Sequence, residues 1–193
     1  MEVVMRENKD TAERREEFVE AAEKLFKENG VVETTINAIV KELDVAKGLF
    51  YYYFQSKDDV IDAISEKYNQ SFRKALQRAM HNDDYDERLE QYLESVIVSF
   101  KTMWNNLHGE SEDIDLSILA TRTMEEAKAT ASSLLRDLLE EGNASSILDI
   151  HYPKYYAEMI ISGIADLIGR NDADMDEIRK MIRDLIERSR KEK

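Results

Sequence analysis

The chain has 193 residues, of which 42% are apolar, a formal net charge of -14, six glycines, one proline and no cysteine. This length and apolar content suffice to bury a core, and the shortage of glycine and proline favours an all-α protein over strand-and-turn architectures. The lack of cysteine excludes disulfides, thiolate metal sites and a cysteine nucleophile.

The first predicted helix runs from Ala12 to about Asn29 and ends at the C-cap signal Asn29-Gly30. Its apolar residues recur at helical spacing: Phe18, Ala21, Ala22, Leu25 and Phe26. A second helix is predicted to begin at Thr34 or Thr35, whose hydroxyl can cap free backbone N–H groups. The apolar face of this helix contains Ile36, Ile39, Val40 and Leu43.

A tight turn is predicted at Asp44 to Ala46, followed by a third helix from Lys47 to about Phe54. Phe50 and Phe54 are four residues apart and therefore share the inward face of so short a helix. The residues predicted to face outward are Lys47, Gly48, Tyr51 and Tyr52. Two short helices joined by a tight turn are the layout of a helix-turn-helix that reads duplex DNA.

A long fourth helix is predicted from Ser56-Lys57-Asp58-Asp59, a cap with acidic first-turn residues, to about Met80. After a polar break at residues 81–84, the periodicity predicts five further helices, at about 85–106, 114–121, 124–141, 153–169 and 174–190. The whole chain is therefore expected to contain about nine helices, with a small N-terminal head and a larger helical body.

The net charge of -14 is unusual for a DNA-binding protein, because neutralising phosphates supplies much of the affinity. Between residues 34 and 57, however, three lysines stand against one glutamate and one aspartate, so the local balance is +1. The acidic excess lies mainly beyond residue 57, where it keeps the body soluble. We expect the overall charge to lower non-specific affinity without preventing DNA binding.

Residues 14–61 resemble the TetR family of one-component transcriptional regulators. The matching segments are AAEKLFKENG at residues 21–30, TTINAIVKELDV at 34–45, KG at 47–48, FYYYF at 50–54 and SKDDV at 56–60. They cover about a quarter of the chain, and the combination is far more specific than any single segment. The resemblance implies a helix-turn-helix DNA-binding domain at residues 1–56 and a ligand-binding and dimerisation domain at 57–193.

If the resemblance holds, the residues that contact DNA are Thr34, Thr35, Lys47, Gly48, Leu49, Tyr51, Tyr52 and Lys57. Three positions depart from the family pattern. Asp44 stands where glycine is usual, so either it adopts a left-handed conformation or the turn differs. Ala46 replaces a capping serine or threonine, and Leu49 replaces a small polar residue, which favours contact with a thymine methyl group. These departures concern which operator is read more than the fold.

In the body, the resemblance suggests a small-molecule pocket lined by Tyr92, Phe100, Met103, Trp104, His108 and Met124. Each of these residues is equally well explained as ordinary core. The last two helices carry apolar stripes that could cover the body or form a four-helix dimer interface. The stripe residues are Tyr156, Ile160, Gly163, Ile164 and Leu167, then Ile178, Met181, Ile182 and Leu185.

The sequence thus predicts a ligand-responsive transcriptional regulator, by family analogy a repressor, which binds a pseudo-palindromic operator as a homodimer. An acidic helical adaptor that has lost DNA binding is the alternative. No phosphate-cradling loop, nucleophile motif or metal constellation indicates an enzyme, a cofactor or a metal. No apolar run approaches the roughly 20 residues of a membrane span, and the first ten residues lack a secretory signal core, so we expect a soluble cytoplasmic protein.

Overall fold

The computed structural model describes residues 2–108, 114–170 and 174–191, with only the backbone described for residues 2–10. Within these ranges the chain forms eight α-helices and no strand, which confirms the predicted all-α class. The helices are α1 (Glu2–Asn29), α2 (Ile36–Glu42), α3 (Lys47–Tyr53), α4 (Lys57–Ala79), α5 (Tyr85–Leu107), α6 (Ser117–Ala144), α7 (Pro153–Arg170) and α8 (Met175–Glu187).

The predicted count of about nine helices becomes eight because the expected helices at 114–121 and 124–141 are one continuous helix, α6. The polar segment at residues 121–123 does not interrupt it. Thr123 is fully buried, and its hydroxyl donates a hydrogen bond of 2.8 Å to the carbonyl oxygen of Leu119, one turn earlier. A threonine whose hydroxyl is satisfied in this way is compatible with the interior of a helix.

Two helix ends also lie at positions other than those predicted. Helix α1 begins at Glu2, ten residues before the predicted start at Ala12, because good helix formers extend a helix beyond its apolar stripe. Helix α6 continues through Gly142 to Ala144, beyond the predicted end at about residue 141. A Cβ at position 142 would overlap the Tyr85 side chain, so this glycine permits close packing and does not act as a C-cap.

The chain divides into two compact units. The first contains Met1–Tyr68 and Leu107–Thr123. Its core is an aromatic cluster in which the ring of Phe18 lies 5.8 Å from that of Phe50, and Phe50 lies 5.6 Å from Phe54. Phe50 is fully buried and Phe54 is only 2% exposed, so the inward face predicted for the third helix is confirmed.

Within this unit, the connection between α1 and α2 is held against the residues that precede α6. Gly30 has a φ of +87°, a conformation that favours glycine, and its Cα faces the backbone of Asp115. The N–H of Val31 donates a hydrogen bond of 2.9 Å to the carbonyl oxygen of Asp115. The Asp115 carboxylate in turn accepts a hydrogen bond from the N–H of Ser117, at the start of α6.

The second unit contains Asn69–Asn106 and Met124–Lys193. Two buried tyrosines connect α5 to α6. The Tyr92 hydroxyl donates a hydrogen bond to the carbonyl oxygen of Ala131, and the Tyr85 hydroxyl donates one to that of Leu138. Burial raises the pKa of Tyr85 to about 12. Helix α8 begins with a complete capping box made by Asp174 and Glu177.

The residues after α8 pair with the segment between α6 and α7. An isolated antiparallel bridge joins Leu148 to Arg190, and the N–H of Asp149 donates a hydrogen bond of 2.8 Å to the carbonyl oxygen of Ser189. This pairing fixes the C-terminal end of α8. None of the helices in the described ranges has the length and apolar character required to cross a membrane.

Candidate nucleic-acid interface

The helix-turn-helix begins with Thr35, which caps α2. Its hydroxyl oxygen accepts a hydrogen bond of 3.1 Å from the N–H of Ala38, and the side chain remains exposed. The hydroxyl hydrogen is therefore still available to an acceptor outside the protein. Ile39 and Val40 bury the opposite side of α2.

The turn after α2 contains a residue in the left-handed region. Asp44 has a φ of +50°, which resolves the alternative left open by the sequence in favour of a left-handed aspartate. Ala46 occupies the N-cap position of α3 and, as expected, supplies no side-chain hydrogen bond. The N–H of Leu49 bonds instead to the carbonyl oxygen of Ala46, at 2.9 Å.

The outer side of α3 carries the predicted recognition residues. Tyr51 is 50% exposed and Tyr52 is 72% exposed, which is unusual for side chains of this size and leaves both hydroxyls accessible. Lys47 is also exposed, and its ammonium lies 5.9 Å from the centre of the Tyr51 ring. Tyr53 is half-buried, unlike Tyr51 and Tyr52, and its ring lies 5.8 Å from that of Phe18.

Gly48 lies on the same exposed side, and no atom would lie within 4 Å of a Cβ added there. Folding therefore does not require a glycine at this position, although glycine costs a helix roughly 1 kcal/mol relative to alanine. Leu49 is half-buried and offers only part of its side chain to solvent. The face formed by Lys47, Gly48, Tyr51 and Tyr52 is called the recognition face below.

Thr34 does not join this surface, which corrects its predicted role as a phosphate contact. The residue is only 2% exposed, and its hydroxyl lies 2.8 Å from the carbonyl oxygen of Gly30 and 3.1 Å from that of Leu25. The side chain therefore closes the end of α1. Because helix α2 begins only at Ile36, Thr35 alone serves as the cap.

Lys57 also has a different role from the one predicted. Its ammonium donates hydrogen bonds to the carbonyl oxygens of Val31, Val32 and Thr34, at 2.8, 3.2 and 3.0 Å. A lysine ammonium has three N–H donors, so these bonds occupy all of them. We therefore assign Lys57 to holding the connection between α1 and α2, and remove it from the phosphate contacts.

Sequence reasoning missed the ion pairs that support this head. Lys24 of α1 lies 2.6 Å from Glu42 of α2, which offsets one of the negative charges near the turn. Glu23 accepts hydrogen bonds from Lys27, Lys67 and the Tyr68 hydroxyl, and so ties α1 to α4. Apart from Glu23 and Lys27, which are four residues apart, these partners are distant in the sequence, so no periodicity or motif identifies them.

The six residues predicted to line a ligand pocket differ in how far they are buried. Tyr92, Phe100 and Met103 are buried, and Trp104 packs against Gly169, within 3.1 Å of where a Cβ would lie. Met124 is half-buried, whereas His108 is exposed and belongs to the other unit. One cavity of the second unit has a different lining. It is an open groove of about 640 Å³ along α5 and α8.

Apart from Tyr156 and Leu167, the predicted dimer residues divide into two groups. The first is buried within the protomer and cannot form the surface of an interface: Ile160, Ile164, Ile178 and Ile182. These isoleucines pack inward, where α7 and α8 contact each other. Tyr156 and Leu167 are half-buried, and the Tyr156 hydroxyl bonds to the carbonyl oxygen of Leu185 at 3.1 Å.

The second group remains on the surface and includes Gly163, Met181 and Leu185. Two neighbours that the sequence analysis did not select, Tyr155 and Met159, are 60% and 74% exposed. The apolar surface of α7 and α8 is therefore displaced from the predicted stripe toward the outer side of each helix. Among the described residues no group of three histidine, cysteine or acidic side chains is placed to hold a metal ion.

Comparison with known proteins agrees with this geometry. Residues 18–64 match the family model described as "Bacterial regulatory proteins, tetR family". The chain is 35% identical over 82 residues to the HTH-type transcriptional regulator HbdR of Aromatoleum sp. (strain CIB), an alignment that covers 40% of this chain and 36% of that relative. The aligned region thus spans little more than a third of the relative's length.

Solved structures match over nearly the full length. The fatty acid degradation regulator FadR of Bacillus halodurans superposes with a TM-score of 0.63 at 19% identity, covering 90% of this chain and 94% of that one. A TetR-like transcriptional regulator from Rhodococcus sp. RHA1 gives a TM-score of 0.59 at 20% identity, covering 91% and 94%. At these identities the likeness establishes a shared fold.

Proposed function

We propose, on the premise that residues 18–64 match the model of the TetR family of bacterial regulatory proteins, that this chain is a cytoplasmic DNA-binding transcriptional regulator of that family. We propose further that it acts as a homodimeric repressor whose operator affinity changes when a small molecule binds. The functional division would be a DNA-binding domain at residues 1–56 and a ligand-binding and dimerisation domain at 57–193. The exposed recognition face of α3 is the observation that carries this proposal.

The recognition face combines three properties that suit a major groove. Lys47 supplies a positive charge, the two exposed tyrosines supply hydroxyl donors for phosphates and base edges, and Gly48 allows the backbone to approach closely. Half-buried Leu49 offers an apolar contact suited to a thymine methyl group. Thr35 adds a hydroxyl donor at the start of α2.

One short recognition helix reads only a few base pairs, at about 1 to 3 kcal/mol of discrimination each, so useful specificity requires two copies. The outer surface of α7 and α8 provides a suitable dimer interface, because large apolar side chains are exposed there. The dimer face that we propose consists of Tyr155, Met159, Gly163, Met181 and Leu185. A two-fold dimer would present recognition helices roughly 34 to 36 Å apart to a pseudo-palindromic operator.

Helix α4 is suited to transmit the presence of an effector, since it runs without a break from Lys57 to Ala79 and contributes residues to both compact units. An effector that favours one dimer geometry by 1 to 3 kcal/mol would change operator affinity about 5- to 150-fold. For a repressor, release from DNA on effector binding corresponds to relief of repression.

The test begins with selection of bound fragments from random duplex DNA, followed by affinity measurements on the selected sequence. The double variant Tyr51→Phe/Tyr52→Phe removes two exposed hydroxyls and is expected to bind at least tenfold more weakly, because each hydrogen bond to a charged phosphate contributes about 1.5 to 3 kcal/mol. Tyr53→Phe is the matched control, since the same atom is removed from a ring that packs against Phe18.

The proposal requires the double variant to lose affinity while the Tyr53→Phe control retains it. Equal affinity of all three proteins would show that the Tyr51 and Tyr52 hydroxyls make no hydrogen bond to DNA, which contradicts the role proposed for them. If no fragment is selected from the random duplex pool, the acidic adaptor becomes the better explanation of the chain.

A further inference from the structure

The groove along α5 and α8 has a ladder of ion pairs across it. Three carboxylates of α5, spaced four residues apart, face three arginines in or just after α8. The pairs are Asp86 with Arg190 at 2.9 Å, Glu90 with Arg183 at 2.6 Å, and Glu94 with Arg179 at 2.6 Å. All six residues line the groove, whose volume of about 640 Å³ falls within the range of small-molecule sites.

Between these pairs the lining is apolar. Its aliphatic side chains come from both helices: Leu89, Leu93, Ile97 and Val98 from α5, and Ile182 and Ile186 from α8. Val98 is 44% exposed and marks an accessible part of the wall, whereas the others are nearly buried and form the floor. An occupant must therefore present an apolar body to the floor and a polar group to the ladder.

The net charge of the lining determines whether a positively or a negatively charged group is favoured there. Five carboxylates line the groove against three arginines, an excess of two negative charges. The two carboxylates outside the ladder are those of Glu87 and Glu187. Because the site is acidic overall, it attracts a cation and repels a molecule that carries a carboxylate or phosphate.

The ion pairs of the ladder differ in how easily they are broken. The Arg179 guanidinium donates two parallel hydrogen bonds of 2.6 and 2.7 Å to the Glu94 carboxylate, and these bonds lower the pKa of the Glu94 carboxyl. Glu90 and Arg183, in contrast, share one hydrogen bond, and their side chains are 68% and 65% exposed. A surface pair of this kind contributes little free energy, so Arg183 is easily displaced.

We propose that this groove binds a lipophilic organic cation whose apolar body lies over Leu93, Ile97 and Ile182, and whose charged nitrogen pairs with Glu90 in place of Arg183. The groove is separate from the cluster that the sequence predicted as a pocket, none of whose residues lines it. Arg183 lies on α8 between the exposed Met181 and Leu185, so an occupant would act directly on the helix that carries the proposed dimer face. This role as an effector rests on the proposed function, whereas the binding itself does not.

Binding is tested with three probes that share one apolar body and differ in charge. They are (4-tert-butylbenzyl)trimethylammonium, the neutral 4-tert-butylbenzyl alcohol and the anionic 4-tert-butylbenzoate. Isothermal titration calorimetry on the full chain should give saturable binding of the cation, weaker binding of the alcohol and no binding of the benzoate. A benzoate that binds as tightly as the ammonium probe would overturn the proposal.

Two substitutions in the same ion pair should act in opposite directions. Glu90→Gln removes the partner of the cation and is expected to weaken its binding about fivefold, while Arg183→Gln frees Glu90 and is expected to strengthen it about fivefold. Glu125→Gln, an exposed position of α6 outside the groove, is the charge-matched control and should leave the affinity unchanged. Neither groove residue is buried, so all three variants are expected to fold, which circular dichroism checks.

A loss of affinity in both groove variants, or in neither, would contradict the assignment of Glu90. The regulatory step is measured separately, as the effect of the bound ammonium probe on the affinity for selected DNA. If the cation binds as described and operator affinity is unchanged, the site stands and its role as an effector site fails. If no DNA is ever bound, the calorimetric result still decides the binding proposal.

Discussion

The ammonium nitrogen of Lys57 lies 2.8 Å from the carbonyl oxygen of Val31, which precedes it by 26 residues. With its further bonds to Val32 and Thr34, this side chain connects the first turn of α4 to the segment between α1 and α2. Helix α3, which carries the proposed DNA contacts, lies between these two segments in the sequence. Lys57 is therefore placed to fix how α3 is presented.

Replacing Lys57 by Met should lower the free energy of unfolding by about 1 to 3 kcal/mol, because three carbonyl groups lose a charged donor. DNA binding should weaken, yet the dependence of affinity on salt should keep its slope. A lysine that contacts phosphate would instead reduce the slope by roughly one. Lys47→Met is the comparison, for which we expect the reduced slope with stability changed by less than about 0.5 kcal/mol.

Gly48→Ala is expected to separate stability from function. The added Cβ meets open space, so the helix gains up to about 1 kcal/mol, while the methyl group obstructs close approach to DNA and lowers affinity. Chemical denaturation and binding to selected DNA measure the two effects. Gly142→Ala should lower stability, since its Cβ would overlap the Tyr85 side chain. Unchanged DNA affinity in Gly48→Ala would show that the recognition face does not approach closely at this point.

Met159→Glu should convert the proposed dimer to monomers, because it places a charge in the middle of an apolar surface that dimerisation would bury. Analytical ultracentrifugation over a range of concentrations measures the change. Ile118→Glu is the control, since Ile118 is exposed on α6, outside the proposed dimer face. A wild-type chain that sediments as a monomer at every concentration would refute the proposed interface.

Glu23 should make stability depend on pH in the acid range. Burial acts to raise the pKa of its carboxyl, but hydrogen bonds from Lys27, Tyr68 and Lys67 outweigh burial and leave the pKa below its ordinary value of 4.5. A lowered pKa in the folded state means that the ionised carboxylate stabilises the fold above pH 4.5, and that this contribution is lost as the pH falls further.

The variant Glu23→Gln should therefore be less stable than the wild type at neutral pH, by about 1 to 3 kcal/mol. The difference should shrink as the pH is lowered, which urea denaturation at a series of pH values can follow. Glu17→Gln alters an exposed pair with Arg14 and should change stability little at any pH. A difference between Glu23→Gln and wild type that is constant with pH would mean that the carboxylate is not the source of the effect.

The helix-turn-helix could be predicted from the sequence because its signals are local. Spacing of four residues places Phe50 and Phe54 inward, and in a helix of seven residues Tyr51 and Tyr52 must then point elsewhere. The continuity of α6 was missed because a threonine-rich segment has low helix propensity, and the sequence does not show that Thr123 is buried with its hydroxyl bonded to the carbonyl oxygen of Leu119.

The body was harder to predict because periodicity identifies an apolar face without naming what covers it. Ile160 and Ile178 were assigned to a dimer interface on such a pattern, yet they are buried within the protomer. The same limit applies to Lys57, because its position at the start of α4 is compatible with either a phosphate or backbone carbonyl groups as partners. Only three-dimensional proximity distinguishes these alternatives, and the residues involved are far apart in the sequence.

The left-handed aspartate in the turn bears on how this protein can change over generations. Asp44 keeps a backbone conformation that costs a non-glycine residue of the order of 1 kcal/mol. Each aspartate codon becomes a glycine codon through a single base substitution, so relief of this strain is one mutational step away. In a population selected for growth at rising temperature, Asp44→Gly should be among the first stabilising alleles to spread.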